Sequence, residues 1–150
     1  MENIHDIAKW FLCHESMTHK KLQKLCYYSQ AWYCALYDGT PLFPEVIQAW
    51  VHGPVSPSLF ASYADAKWVP IPKIDSEPPV FDSKVTDVLE AVYDAYGKYT
   101  GGQLETITHS EDPWINARSG LNPWEPGTST ITCASMREYY SRRYDQDQND

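Results

Sequence analysis

The side chains able to do chemistry are few in this chain, and their spacing is loose. His52 stands at a rigid corner in Trp50-Val51-His52-Gly53-Pro54, His109 follows Thr108, and Glu111-Asp112 come just after it. Cys26 and Cys34 lie in a long helical pattern, so a cysteine–histidine pair would need His52 or His109 to fold back onto that helix. Catalysis needs a nucleophile with a base, paired carboxylates or a metal constellation. The motifs that build such sites are missing: there is no GxSxG, no Walker loop, no Gly-rich dinucleotide turn and no HExxH. His14-Glu15 opens like a zinc-protease helix, but Thr18 stands where the second histidine is required. No catalytic residue, metal or cofactor is therefore expected. A lone cysteine is ordinarily a small buried hydrophobe, and a histidine at a turn ordinarily satisfies a backbone carbonyl. His52 and His109 are read as structural, with a small hydrolase-like enzyme using both, together with Glu111, as the competing alternative.

The elements that position these residues follow from periodicity and punctuation. Residues 45–51 read as a short strand, which Gly53-Pro54 breaks, and Ser56-Pro57 supplies a cap and a first-turn proline for the next helix. Trp50 and His52, two apart, share one strand face. Ahead of this corner, Asn3 caps an amphipathic helix carrying Ile4, Ile7 and Phe11. Thr18 caps a long helix to about Tyr37, with Leu22, Leu25, Ser29, Trp32 and Leu36 at three- and four-residue spacing. His19, Lys20, Lys21 and Lys24 put positive charge at the positive end of that helix dipole, a locally unfavourable choice that can mark functional surface. Tyr27, Tyr28, Trp32, Tyr33 and Tyr37 spread too widely around the helix for one buried face.

Beyond the corner, 68–71 reads as an edge strand or coil, and 72–82 as a proline-containing surface loop. Asp82 or Ser83 caps a helix with the stripe Val85, Val88, Leu89, Val92 and Tyr96, and Gly97 suits its C′ position. A short helix over 103–109, another from Asp112-Pro113 to about Arg118, and a last one from Thr132 or Ser135 complete the chain. The fold class is mainly α: one helical domain over residues 1–144 with a small two-stranded β element around 45–51 and 68–71, followed by a disordered polar tail at 145–150.

The 150 residues suffice for one core, and the 14% aromatic content, with 11 Tyr and 6 Trp, exceeds what a core requires. Tyr and Trp anchor protein interfaces, so the excess points to partner binding. A net charge of −8 disfavours nucleic acid, whose affinity rests on basic side chains. No apolar run approaches the roughly 18 residues of a spanning helix. Cys13, Cys26, Cys34 and Cys133 show no paired spacing and no secretory leader is read before them, so four free thiols in a reducing cytoplasm are expected.

Three blocks carry a resemblance. Thr18-His19-Lys20-Lys21-Leu22-Gln23-Lys24-Leu25-Cys26-Tyr27-Tyr28-Ser29-Gln30-Ala31-Trp32, then Ala49-Trp50-Val51-His52-Gly53-Pro54-Val55-Ser56-Pro57, then Leu104-Glu105-Thr106-Ile107-Thr108-His109-Ser110-Glu111-Asp112-Pro113-Trp114 resemble, in this order, the SocA-like or Panacea antitoxin domain. The resemblance implies an antitoxin that neutralises a toxin encoded beside it by direct binding, in one branch as an adaptor that delivers the toxin to a host protease. Some relatives are known only as phage-associated, GepA-like proteins, which leaves a phage-encoded inhibitor or adaptor of another host protein as an alternative. The expected partner is a protein toxin, with no nucleic acid or membrane bound by this chain alone. Lys20, Lys24, Tyr28, Trp32, Trp50, His52, Pro54 and Pro57 are the candidate partner-binding residues, and Gly53, His109, Pro113 and Trp114 the structural motif.

Overall fold

Capping signals start most elements of the computed structural model, which describes residues 1–149. Asn3 accepts from the Asp6 amide at the head of α1 (Ile4–Leu12), and Thr18 from the Lys21 amide at the head of α2 (His19–Leu36). Ser56 caps α3 (Pro57–Tyr63), Asp82 caps α4 (Ser83–Tyr96), and Thr100 forms a full capping box with Gln103 on α5 (Gly101–His109). A short α6 (Asp112–Ala117) and a long α7 (Cys133–Asn149) follow.

Helix α2 is the hub. Helices α1, α3, α4, α5 and α7 and the hairpin pack around it, and every residue from Leu22 to Ala31 is buried. A helix covered on all sides must still satisfy its polar residues. Ser29 donates back to the Leu25 carbonyl at 2.8 Å, while the Gln30 amide donates to the Phe43 carbonyl at 2.8 Å and accepts from the Leu42 amide at 2.7 Å. Gln30 thereby ties the 37–47 connection to the helix it has just left.

The fold is mainly helical with one two-stranded antiparallel sheet, but the second strand is not 68–71. Strand β1 (Gln48–Trp50) pairs with β2 (Gly53–Val55), with Trp50 opposite Gly53 and Ala49 opposite Pro54. Closing a two-residue turn costs less chain entropy than recruiting a strand some twenty residues away, and Gly53 takes the positive φ of 110° that this tight return requires. Pro70 and Pro72 flank Ile71 and lack N–H groups, so that segment makes a single antiparallel bridge, with Ile71 N–H on the Met17 carbonyl at 2.7 Å.

Three further expectations change. Gly97 closes α4 with a right-handed φ of −64°, not the left-handed turn of a C′ glycine. Glu111 occupies the N-cap position of α6 with its side chain making no cap bond, because that carboxylate is turned into the core. Helix α7 continues through residues 145–149, where a polar disordered tail is expected; no glycine or proline interrupts Arg142 to Asn149. Asp150 lies outside the described residues.

The cysteines are not all free. Cys34 of α2 and Cys133 at the head of α7 form a disulfide with Cα atoms 6.1 Å apart, within the usual range, while Cys13 and Cys26 are buried thiols. Sequence spacing could not show the pair, because 99 residues separate its members. The bond fixes the start of α7, whose buried apolar residues beyond it are Met136 and Tyr140. Closing so long a loop is worth up to about 4–5 kcal/mol in the chain-entropy model. Reduction, or Cys133→Ser, should therefore lower the melting temperature by several degrees; unchanged melting with and without reductant would contradict the role given to the bond.

Candidate functional site

The corner after β1 is fastened to α2 by one amide side chain. Gln23 Oε1 accepts from the Ser56 backbone N–H at 2.9 Å, and Gln23 Nε2 donates to the Ser56 carbonyl at 3.1 Å. The same Nε2 lies 3.1 Å from His19 Nε2, which must then act as acceptor, and burial together with the nearby Lys24 charge lowers the His19 pKa. Ser56 itself caps α3 through the Leu59 amide. Hairpin, helix cap and hub helix are thus locked through a single residue.

Lys24 lies beneath the hairpin. It is 1% exposed, and its Nζ reaches the Pro54 carbonyl at 3.5 Å. Burial pushes its pKa down to about 7, with Glu105 opposing the shift and Lys20 adding to it. The amine packs so closely under the turn that a Cβ at residue 53 would lie 2.8 Å from Lys24 Cε and 3.1 Å from Thr108 Oγ1. Glycine at 53 is required twice, by its φ and by this contact.

The α5–α6 segment closes the other side. Trp114 Nε1 donates to the Trp50 carbonyl at 2.8 Å, and Arg118 Nη1 donates to the Ala49 carbonyl at 3.0 Å. His109 stacks on Trp114 with centroids 3.9 Å apart, and its Nε2 is buried without a partner among the described residues. Burial is the main reason its pKa falls. At the surface, Glu105 receives Lys20 Nζ at 2.7 Å and His52 Nδ1 at 3.3 Å. Burial raises the Glu105 pKa, but the contacts with Lys20 and His52 together outweigh it and the net shift is downward.

A second polar cluster centres on Glu111, 2% exposed. Its Oε1 accepts from Tyr28 at 2.7 Å and from Tyr140 at 2.9 Å, and its Oε2 from Arg143 Nη1 at 3.2 Å. Burial raises its pKa against these three partners. Tyr28 also stacks on Tyr96 at 3.9 Å, and Tyr96 accepts from Trp32 Nε1 at 3.0 Å.

The candidate residues thus divide by location. Lys24, Tyr28, Pro54 and Gly53 are inside the protein, as are Pro113 and Trp114. Lys20, Trp32, Trp50 and Pro57 are half-buried, and the His52 side chain is 70% exposed. The structure brings His52 to Glu105, and His109 to Trp114. Cys26 offers neither histidine a thiolate, because it is fully buried and its pKa is pushed well up. Gln23, Glu105, Arg118, Tyr140 and Arg143 were not singled out from sequence. The only signal for them was polar type at positions of a helical face otherwise apolar, which does not separate a clasp from a solvated side chain.

The three sequence blocks therefore meet on α2: its own buried face, the hairpin above Lys24, and the α5–α6 segment against Trp50. A family model, the SocA-like antitoxin, Panacea domain, matches residues 22–115. The chain belongs to this family. The match takes in the hairpin, α3, α4, α5 and nearly all of α2, while α1 and α7 lie outside it. No curated protein and no solved structure matches. Membership in the Panacea family carries a toxin–antitoxin type of role, and no helix among the described residues is long and apolar enough to cross a membrane.

Two substitutions test the site as built. Between about pH 7 and the unfolded value of 10.5 the unfolded chain holds a proton on Lys24 that the folded chain lacks. The Lys24 contribution to stability therefore rises with pH across this window and is lost below it. Lys24→Met should raise the melting temperature at neutral pH and flatten the rise toward pH ~10; equal pH profiles for the two proteins would refute the assignment. Glu111→Ala leaves two tyrosine hydroxyls and Arg143 without their acceptor and should cost about 3 kcal/mol in urea unfolding. A cost near zero would mean the cluster contributes nothing to the fold.

Proposed function

We propose that this chain is the antitoxin of a toxin–antitoxin pair and neutralises its toxin by direct protein–protein binding. The observation that carries the reading is the family match over residues 22–115, joined to the convergence of its three sequence blocks on one helix. The chemistry is consistent with binding: the net charge of −8 complements a basic toxin, and aromatic side chains are in excess of core needs. Among the candidate residues, Lys20, Trp32, Trp50, His52 and Pro57 can reach a partner; Lys24, Tyr28 and Pro54 support them from inside. The chain acts without catalysing a reaction. In a cytoplasmic setting the Cys34–Cys133 pair would face the cellular thiol pool, and the Met136 and Tyr140 contacts would hold α7 in its place.

Handing the toxin to a host protease is a variant of the same reading, in which toxin level falls as well as toxin activity. An inhibitor of another host protein, phage-encoded, is the alternative, with the same interaction chemistry and a different target. Co-expression with the product of the adjacent reading frame separates them. The proposal expects that product to arrest growth alone, growth to resume with this chain, and the two proteins to co-purify. Arrest that this chain does not relieve, without a complex, would be evidence against it.

A further inference from the structure

Helices α4 and α7 each pack on α2, and a groove of about 460 Å³ remains between them. Trp32 and Leu36 of α2, Tyr96 at the end of α4, Tyr99 in the loop that follows, and Tyr144 of α7 give it an aromatic and aliphatic lining. Part of that lining faces water: Leu36 is 40% exposed and Tyr144 42% exposed. On the α4 wall, Ala91 and Ala95 are exposed and one turn apart, so they present almost no side chain to an approaching backbone. From Val88 to Tyr96 the wall runs for about 12 Å, roughly two helical turns.

The charges around this slot are uneven. Arg143 is already committed to Glu111. Lys84 lies over the Tyr37 ring and Lys98 over the Tyr99 ring, at the two ends of α4. Between those ends, Asp87 and Asp94 flank Ala91 on the same exposed helix face, and Asp147 lines the α7 side; none of the three forms an ion pair among the described residues. An apolar floor with small residues on one wall and unpaired carboxylates on both rims is complementary to an amphipathic helix with a basic border.

We infer that the groove between α4 and α7 is the toxin-docking surface, and that its occupant is an amphipathic helix of the toxin with apolar anchors one turn apart and lysine or arginine beside them. The inference rests on the antitoxin reading above but is tested apart from it. Of the candidate partner-binding residues, Trp32 lines the groove, beside residues outside that set such as Leu36, Ala95 and Tyr144; the Trp50–Pro57 corner lies elsewhere and acts as scaffold.

The probe is a synthetic helical peptide of about 14 residues with leucines at i, i+4 and i+7 and arginines flanking them, beside a second peptide with glutamates in place of the arginines. Isothermal titration should show micromolar binding of the basic peptide and none of the acidic one. Ala95→Arg, on the groove wall, should weaken binding at least about tenfold, whereas Ala61→Arg, an exposed position on α3, changes the net charge equally and should leave it unaltered. No binding, equal binding of both peptides, or equal loss from the two substitutions overturns the groove. In the growth assay, rescue by wild type and Ala61→Arg but not Ala95→Arg supports the groove. Rescue by all three overturns the groove alone, and failure of the wild type to rescue overturns the toxin as its occupant while the peptide result stands.

Discussion

The two hydrogen bonds between the Gln23 amide and the Ser56 backbone are the contact on which this architecture depends. They are needed because α2 is buried through its middle, so a polar side chain there has no water to fall back on. Gln23 resolves its own burial and that of Ser56 in one step, and in doing so fixes where the hairpin ends and α3 begins. Gln30, two turns further on, does the same for the backbone of residues 42 and 43. A helix that reads as amphipathic is in fact a central post with polar brackets.

The same constraint has two other outcomes in the molecule. Lys24 is buried with one long contact to a carbonyl, and the protein answers by depressing its pKa so that the amine approaches neutrality. Glu111 is buried with three donors, two of them tyrosines, and stays anchored to both α2 and α7. The first arrangement keeps the hairpin seated; the second joins the family-matched segment to the helix outside it. What these interior groups leave on the surface is a corner held rigid and an apolar slot between α4 and α7.

Local signals in the sequence were enough for most helix boundaries. The caps Asn3, Thr18, Ser56 and Asp82 each make the bond their type suggests, whereas α5 starts at Gly101, two residues before the expected 103, on a Thr100 cap that the glycines after it obscured. What depended on distant partners was not legible. The hairpin pairing turned on a two-residue closure that competes with a proline-flanked segment, and the disulfide joined cysteines 99 residues apart. Trp50 and His52, two apart in the sequence and expected on one strand face, have different company: Trp50 lies beside Phe60 with its carbonyl taken by Trp114, and His52 against Glu105. Lys20 to Lys24 read as one basic turn; the structure puts Lys20 on the surface with Glu105 and Lys24 in the core. Helical periodicity shows that residues share a face, and only tertiary packing decides whether that face meets water.

If the Gln23 clasp is what seats the corner, the Ser56 amide should open only with the whole domain. Native-state hydrogen exchange reads this directly. The account predicts a protection free energy at Ser56 equal to that of the Tyr27 and Tyr28 amides in the middle of α2, falling together with them in Gln23→Leu. Exchange of Ser56 through local opening, several kcal/mol below the α2 amides, would contradict the claim that this corner is fixed scaffold.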